Sequence, residues 1–358
     1  PKTAERIVSR FGAASLDVLE NQPELLAELP GISLSKAYEI GRSFQQQVGV
    51  RRLIEFLTAH ELPPELAMRL YRTFGAEAEE ALRGNPYLLS DPDFGANFSA
   101  VDQFALELGL DADDPRRVEA GILFELSHNL NNGHTFLPIN KLTDATCRLL
   151  NLEAPVIADG ISRLCENGGI CRDTIAGLDV SYLPALYEAE TYISARLLRM
   201  AAVHEEVPRD LDMLIARAER KTGFSYAPAQ REAIGTALGQ HLLLLTGGPG
   251  TGKTTTLGGI LQIFDMLGIK TQLAAPTGRA AKRLSELSGK EAQTIHRLLE
   301  VQVSEESGKM VFTHDEAEPL KADALIVDEV SMVDILLMES LLRAIPERCR
   351  LILVGDPN

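Results

Sequence analysis

The sequence predicts an α/β nucleotide-binding domain of the P-loop type behind an all-helical N-terminal region, and three observations carry that prediction. The first is "LLLLTGGPGTGKTTTLGGIL", Leu242 to Leu261, where an apolar run enters a glycine-rich turn and then a helix-like pattern. The second is "ALIVDEVSM", where the compact apolar run Ala324–Val327 is followed at once by Asp328 and Glu329. The third is a repeat: "FGAASLDVLENQPELLAELPGISLSKA" begins at Phe11 and "FGAEAEEALRGNPYLLSDPDFGANFSAVDQFA" at Phe74. Both copies run Phe-Gly, a helix, a Pro-x-Leu-Leu step and further helix.

Gly247, Gly252, Lys253 and Thr254 fit the spacing G-x-x-x-x-G-K-[ST]. A strand at Leu242–Leu245 precedes the loop, and Thr254–Leu267 is expected to be a helix stopped by Gly268. Glycines let the backbone wrap closely, so that successive N–H groups and the helix N-terminus face an anion. Gly248, Pro249, Gly250, Thr251, Gly252, Lys253, Thr254 and Thr255 are therefore the candidate phosphate-binding residues. Lys253 would place a point charge at the β- and γ-phosphates of ATP, and the Thr254 hydroxyl would hold Mg²⁺. Asp328, at the end of a second buried strand, would share that Mg²⁺, while Glu329 would position the attacking water. Lys253, Asp328 and Glu329 are thus the candidate catalytic residues. A chance glycine-rich turn and a solvated pair of carboxylates are the bland alternatives, and the two motifs occurring together argue against both.

Other P-loop classes carry marks that this chain lacks. The only Asn-Lys, Asn140-Lys141, precedes the loop and has no Asp to read guanine, and no L-S-G-G-Q follows it. A small nucleotide kinase would not need the long N-terminal region. Between the two nucleotide motifs, "TQLAAPTGRAAKRLSEL" delivers Thr277 and Arg279 at a strand-to-helix turn, and "AQTIHRLL" brings Thr294, His296 and Arg297. Hydroxyl, backbone N–H and Arg at such turns suit a nucleic-acid phosphate. An ordinary solvated helix face is the competing reading and the better one for Lys282 and Lys290. His296 taken alone reads as a structural histidine.

As a set, "GGPGTGKTTT", "AAPTGRAAKRL", "TIHRLL", "LIVDEVSMVD" and "LILVGDPN" resemble, in order and spacing, the superfamily 1 DNA helicases, and most closely the RecD-like branch. The resemblance covers residues 225–358 and implies a RecA-like ATPase fold. It further implies an ATP-dependent 5′-to-3′ DNA helicase of repair or recombination, with ATP and Mg²⁺ as cofactors. Its partners would be single-stranded DNA and single-strand/duplex junctions, with no RecB or RecC partner. Gln230, in "APAQREAI", would contact adenine, and Thr277 and Arg279, with Thr294 and His296, would lie beside single-stranded DNA. The stretch Val301–Leu320 reads as short strands, Val301–Val303 and Met310–Phe312, around the polar turn "SEESGK". In RecD-like enzymes a β-hairpin inserted here, at about 299–320, is a strand-separating pin, and that reading is preferred over an exposed hairpin without a role.

The N-terminal region adds helix-hairpin-helix character. Leu29-Pro30-Gly31-Ile32, followed by Lys36-Ala37, resembles a hairpin that offers backbone N–H groups to DNA phosphate without reading sequence. The second copy lacks the Pro-Gly turn and is expected to pack only. Residues 1–134 form this helical region. Residues 135–185 follow a winged-helix-like pattern, with helices at Lys141–Leu150 and Pro155–Asn167 and two strands around Gly177. A structural role is preferred there, because the second helix carries a single Arg. Residues 186–224 are expected to be linking helices, and residues 225–358 the RecA-like domain, incomplete where "LILVGDPN" stops. The opening "PKTAERIVSRFG" likewise fits the back half of another hairpin, so the resemblance implies a piece cut at both ends.

The 358 residues are 45% hydrophobic without Trp, as suits a helix-rich globular protein, and their net charge of −16 argues against bulk attraction to DNA. Any DNA contact must come from local basic groups and backbone amides. Cys147, Cys165, Cys171 and Cys349 form no C-x-x-C pair, no apolar run is long enough for a membrane, and no signal peptide is visible. A cytoplasmic, nucleoid-associated bacterial protein is expected. A conjugative relaxase-type helicase would need an N-terminal Tyr nucleophile and a His-rich metal site, which are not visible. A DNA-binding scaffold with an inactive ATPase is disfavoured by intact Lys253, Asp328 and Glu329.

Overall fold

The computed structural model describes residues 2–223, 225–248, 250–303 and 310–356. It divides into two compact units, Pro1–Pro184 and Ala185–Asn358. No helix among the described residues is long and apolar enough to cross a membrane.

The first unit keeps the sequence repeat as a structural repeat. Each copy runs helix, a short 3-10 turn opened by glycine, helix, a 3-10 turn opened by proline, and helix. The first uses Lys2–Phe11, Gly12–Ala14, Ser15–Asn21, Pro23–Glu28 and Leu34–Ala59; the second uses Ala67–Phe74, Gly75–Glu77, Ala78–Gly84, Pro86–Ser90 and Phe98–Glu107. Proline opens the 3-10 turn because its missing N–H is not needed there and its φ is already set. The last helix of each copy is capped by a side chain, Ser33 accepting from Lys36 N at 3.2 Å and Asn97 from Ser99 N at 2.9 Å. The first copy closes on its own small core of Ile7, Val18, Leu26, Leu29, Ile32 and Ala37.

The remaining core of this unit is continuous from Leu53 to Ile170. Val118 and Ile122, on the helix Pro115–Leu130, share it with Leu142, Leu150, Ile157 and Ile161. Residues 135–184 therefore do not close a core of their own, since two helices and a small sheet leave one apolar face to be covered by their neighbour. The sheet has three strands, β1 (Phe136–Pro138), β2 (Cys171–Ile175) and β3 (Leu178–Tyr182), in the antiparallel order β1-β3-β2. The hairpin and both helices, Ile139–Leu150 and Ala154–Glu166, follow the sequence pattern; β1, only three residues long, had no legible period. The single Arg of the second helix, Arg163, pairs with Glu119 at 2.9 Å.

The second unit holds a five-stranded parallel sheet ordered β4-β10-β9-β5-β6, from β4 (Leu242–Thr246), β5 (Thr271–Ala275), β6 (Ala292–Thr294), β9 (Ala324–Val327) and β10 (Arg350–Gly355). A separate antiparallel pair, β7 (Val301–Val303) and β8 (Met310–Phe312), sits between β6 and β9 in the chain. β9 is central, and all four of its residues are fully buried at 0% exposure, which is why it reads as an unbroken apolar run rather than an alternating one. β4 is an edge strand and leaves Leu244 exposed. The segments expected as linkers, now Pro184–Ala201 and Leu211–Thr222, contribute to the cores of this unit through Met200, Ile215 and Ala218.

Candidate active site

Parallel strands present their carboxyl ends along one edge of a sheet, and ligands of open α/β folds gather there. β4, β10 and β9 run side by side in register, Leu353 facing both Leu244 and Val327. The loops that leave these three strands carry, in spatial order, the P-loop, Asp356 and the pair Asp328-Glu329. Together they line one cleft of about 400 Å³, with Gly248, Gly250, Thr251, Gly252, Lys253, Thr254, Thr255, Asp328 and Glu329 among its walls. Pro249 lies outside the described residues.

The P-loop's shape follows from its glycines. Gly252 has φ 89° and immediately precedes the helix Lys253–Met266. That positive φ favours glycine, and a Cβ here would stand 2.6 Å from the Gln230 amide nitrogen, so Gln230 could brace the loop this closely only beside a glycine. Lys253 is held inside the turn: its ammonium donates to the carbonyls of Gly247 and Gly248, the latter at 3.2 Å, and pairs with Asp356 Oδ1 at 2.6 Å. Thr254 is exposed toward the cleft.

Asp328 follows β9 directly, and its Oδ1 accepts from Glu329 N at 2.9 Å. Glu329 occupies the left-handed region, φ 55° and ψ 41°, which costs a non-glycine residue roughly 1–2 kcal/mol. The chain reverses there into the 3-10 turn Val330–Met332. Gly355 packs under that turn; a Cβ on it would meet Val330 Cγ1 at 2.9 Å, so β10 delivers Asp356 beside the carboxylate pair only with glycine before it. A hydroxyl, Thr254, and a carboxylate, Asp328, on one wall are hard oxygen donors of the kind Mg²⁺ takes when phosphates complete its shell.

Gln230 stands against the P-loop. Its Oε1 accepts from Ala227 N at 2.9 Å and its Nε2 donates to Gly252 O at 3.4 Å. It is not among the residues lining the cleft and instead braces the end of the P-loop against the helix Pro228–Gly239. Two charged cleft residues were not singled out from the sequence. Asp356 had a legible signal, since "LILVG" is another apolar strand ending at a carboxylate. Arg283 did not, because nothing local separates it from Lys282 beside it, for which a solvated helix face was the better reading; Lys282 pairs in solvent with Glu286 at 4.0 Å.

At the far side of the same sheet edge the four expected DNA residues cluster on two neighbouring strand ends. β5 and β6 pair in parallel, with Ala275 opposite Thr294. Thr277 caps the helix Gly278–Ser288, accepting from Ala280 N at 3.2 Å, and Thr294 caps Ile295–Leu298, accepting from Arg297 N at 3.2 Å. Each hydroxyl thereby keeps its own O–H available as a donor. Arg279 and His296 are exposed beside them, and the His296 ring lies 5.9 Å from Phe312 at the foot of the β7–β8 hairpin. The hairpin's turn, Ser304–Lys309, lies outside the described residues.

Fold and site together define a RecA-like P-loop ATPase domain behind a helix-hairpin-helix region. Comparison with known proteins agrees segment by segment. Residues 230–358 match the family described as an AAA domain, and residues 46–136 match the ATP-dependent RecD2 DNA helicase HHH domain. The chain is 33% identical to the ATP-dependent RecD2 DNA helicase of Deinococcus radiodurans over 365 residues, covering 99% of this chain and 50% of that protein. It is 41% identical to the RecBCD enzyme subunit RecD of Mycolicibacterium smegmatis over 152 residues, 36% of this chain and 27% of that one. It is 42% identical to the ATP-dependent DNA helicase dda of Enterobacteria phage T4 over 119 residues, 33% of this chain and 27% of that one. The chain is similar to RecD-like helicases along its length and spans half or less of the length of these relatives. The helix-hairpin-helix match falls on the second sequence repeat, which was expected only to pack, while the Leu29–Ile32 turn precedes it.

Proposed function

We propose that this chain carries the nucleotide-hydrolysing site of an ATP-dependent DNA helicase that moves 5′ to 3′ on single-stranded DNA and opens duplexes during bacterial repair or recombination. The observation that carries this reading is the single cleft in which Lys253, Thr254, Asp328 and Glu329 meet at the ends of three parallel strands. The P-loop amides and Lys253 would bind and orient the phosphates of ATP. Mg²⁺, held by Thr254 and Asp328, would neutralise developing charge on the transferred phosphoryl group. Glu329 would align a water for in-line attack and take its proton. The Gln230 amide, already against Gly252, would reach adenine from the P-loop side.

DNA would cross the β5–β6 edge, its phosphates meeting Thr277, Arg279, Thr294 and His296. The β7–β8 hairpin, rooted beside His296, would part the strands of a single-strand/duplex junction. The hairpins of the first unit would hold duplex phosphate through backbone N–H groups. The resemblance to stand-alone RecD2 along the whole chain supports a protein that works without RecB or RecC, in the cytoplasm at the nucleoid. The test is ATPase activity of the full-length protein with single strands and with duplexes tailed at either end. Strong stimulation by single strands, and unwinding only from a 5′ tail, is expected; DNA-independent turnover would overturn the helicase reading.

A further inference from the structure

We propose that Arg283 is a second phosphate-binding cation of the nucleotide cleft, aimed at the terminal phosphate of a bound nucleoside triphosphate. The inference rests on the nucleotide reading above and adds a residue that neither the P-loop nor the carboxylate motif contains. Arg283 lies on the helix Gly278–Ser288 and lines the cleft together with Leu284 and Leu287 of the same helix. Leu284 is 1% exposed, which fixes the helix's rotation and with it the side that Arg283 offers.

The charges of the cleft make this cation the one that matters. Asp328, Glu329 and Asp356 bring three carboxylates to its lining, and Lys253 and Arg283 bring two cations. Lys253 is engaged with Asp356 and two carbonyls. Arg283 has no ion pair or hydrogen bond among the described residues, unlike its neighbour Lys282 and unlike Lys290, which pairs with Asp265. A triphosphate entering between three carboxylates needs positive charge beyond one lysine, and a guanidinium offers paired N–H groups that match two phosphate oxygens.

The order of the strands says which phosphate. Gln230 and the P-loop belong to the β4 edge, Asp356 follows β10, Asp328 and Glu329 follow β9, and Arg283 sits on the helix that follows β5. A nucleotide anchored at the P-loop therefore extends its last phosphate toward the Asp328-Glu329 side, and Arg283 lines the same cleft from the helix that follows β5. On this proposal a diphosphate would leave Arg283 without its partner. Arg283 would thus sense whether the third phosphate is present, from within this unit.

The experiment is an equilibrium titration of the full-length protein with a fluorescent non-hydrolysable ATP analogue and with fluorescent ADP. It compares wild type with Arg283→Gln and Arg283→Lys. Arg283→Gln is expected to weaken the triphosphate about tenfold, the loss typical of a charge-assisted hydrogen bond, and to leave ADP within about twofold. Arg283→Lys should recover part of the loss. Unchanged triphosphate affinity in Arg283→Gln, or equal losses for both nucleotides, would overturn the assignment. Lys253→Ala is the control: if it changes neither affinity, the nucleotide reading itself fails, and the two failures are thereby told apart.

Discussion

The Lys253 ammonium sits 2.6 Å from the Asp356 carboxylate, joining the P-loop helix to the end of β10 across 103 residues of chain. Lys253 is only one-fifth exposed, so the pair is partly shielded from solvent. A γ-phosphate and Asp356 cannot both have this ammonium at full strength, and nucleotide binding must draw Lys253 off its partner. Asp356→Asn is therefore expected to tighten triphosphate binding several-fold, because the competing charge is gone. Lys253→Ala should weaken binding and turnover together. Titration with a fluorescent ATP analogue reads both; weaker binding in Asp356→Asn would show that Asp356 supports the nucleotide rather than competing with it.

Glu329 directly follows Asp328 and holds a left-handed backbone conformation, and the role expected of it is to align the attacking water. Glu329→Gln removes a proton acceptor and keeps shape and hydrogen-bonding capacity. Turnover should fall by about 10²-fold or more while ATP affinity stays near wild type. Single-turnover hydrolysis beside equilibrium binding distinguishes the two, and near-normal DNA-stimulated turnover would remove Glu329 from the mechanism.

Arg279 faces solvent at the β5–β6 edge of a chain with net charge −16, so its contact with a strand would be local rather than part of a general field. Arg279→Ala is expected to weaken single strands of any sequence alike and to flatten the salt dependence of log K by about one unit. Fluorescence anisotropy over a salt series is the measurement. An unchanged slope and affinity would move the DNA path off this edge.

Glu205 offers a pH test of the second unit's stability. Hydrogen bonding from His241 Nε2 at 2.7 Å, and then the Arg350 guanidinium beside it, hold its carboxyl below the usual carboxylate range. A carboxylate whose folded pKa is depressed adds stability that is complete above its unfolded pKa and is lost as pH falls through the folded value. Glu205→Gln should thus destabilise the protein near neutral pH by at most about 1 kcal/mol, since the side chain is 41% exposed. The gap from wild type should close in acid. Urea melts across pH check it, and a gap independent of pH would mean that packing, not charge, holds this corner.

Much of the site was legible because its chemistry is local in sequence. Four apolar residues, a glycine-rich turn and Lys-Thr specify strand, loop and helix without reference to anything distant, and "ALIVDE" does the same for β9 and its carboxylates. The repeated Phe-Gly and Pro-x-Leu-Leu steps were enough to mark two copies of one helical unit, because glycine and proline act on their own backbone. Tertiary structure decided what depends on neighbours. That β10 lies between β4 and β9, and so brings Asp356 onto Lys253, is a matter of strand order, which no local pattern encodes. That Arg283 lines the cleft while Lys282 faces water is set by burial of Leu284 and the helix rotation it imposes. That Gln230 braces Gly252, and that residues 135–184 share a core with the helices before them, follow from which apolar faces meet. Local propensity fixes which groups a segment can offer; packing between segments distant in the chain fixes what those groups touch.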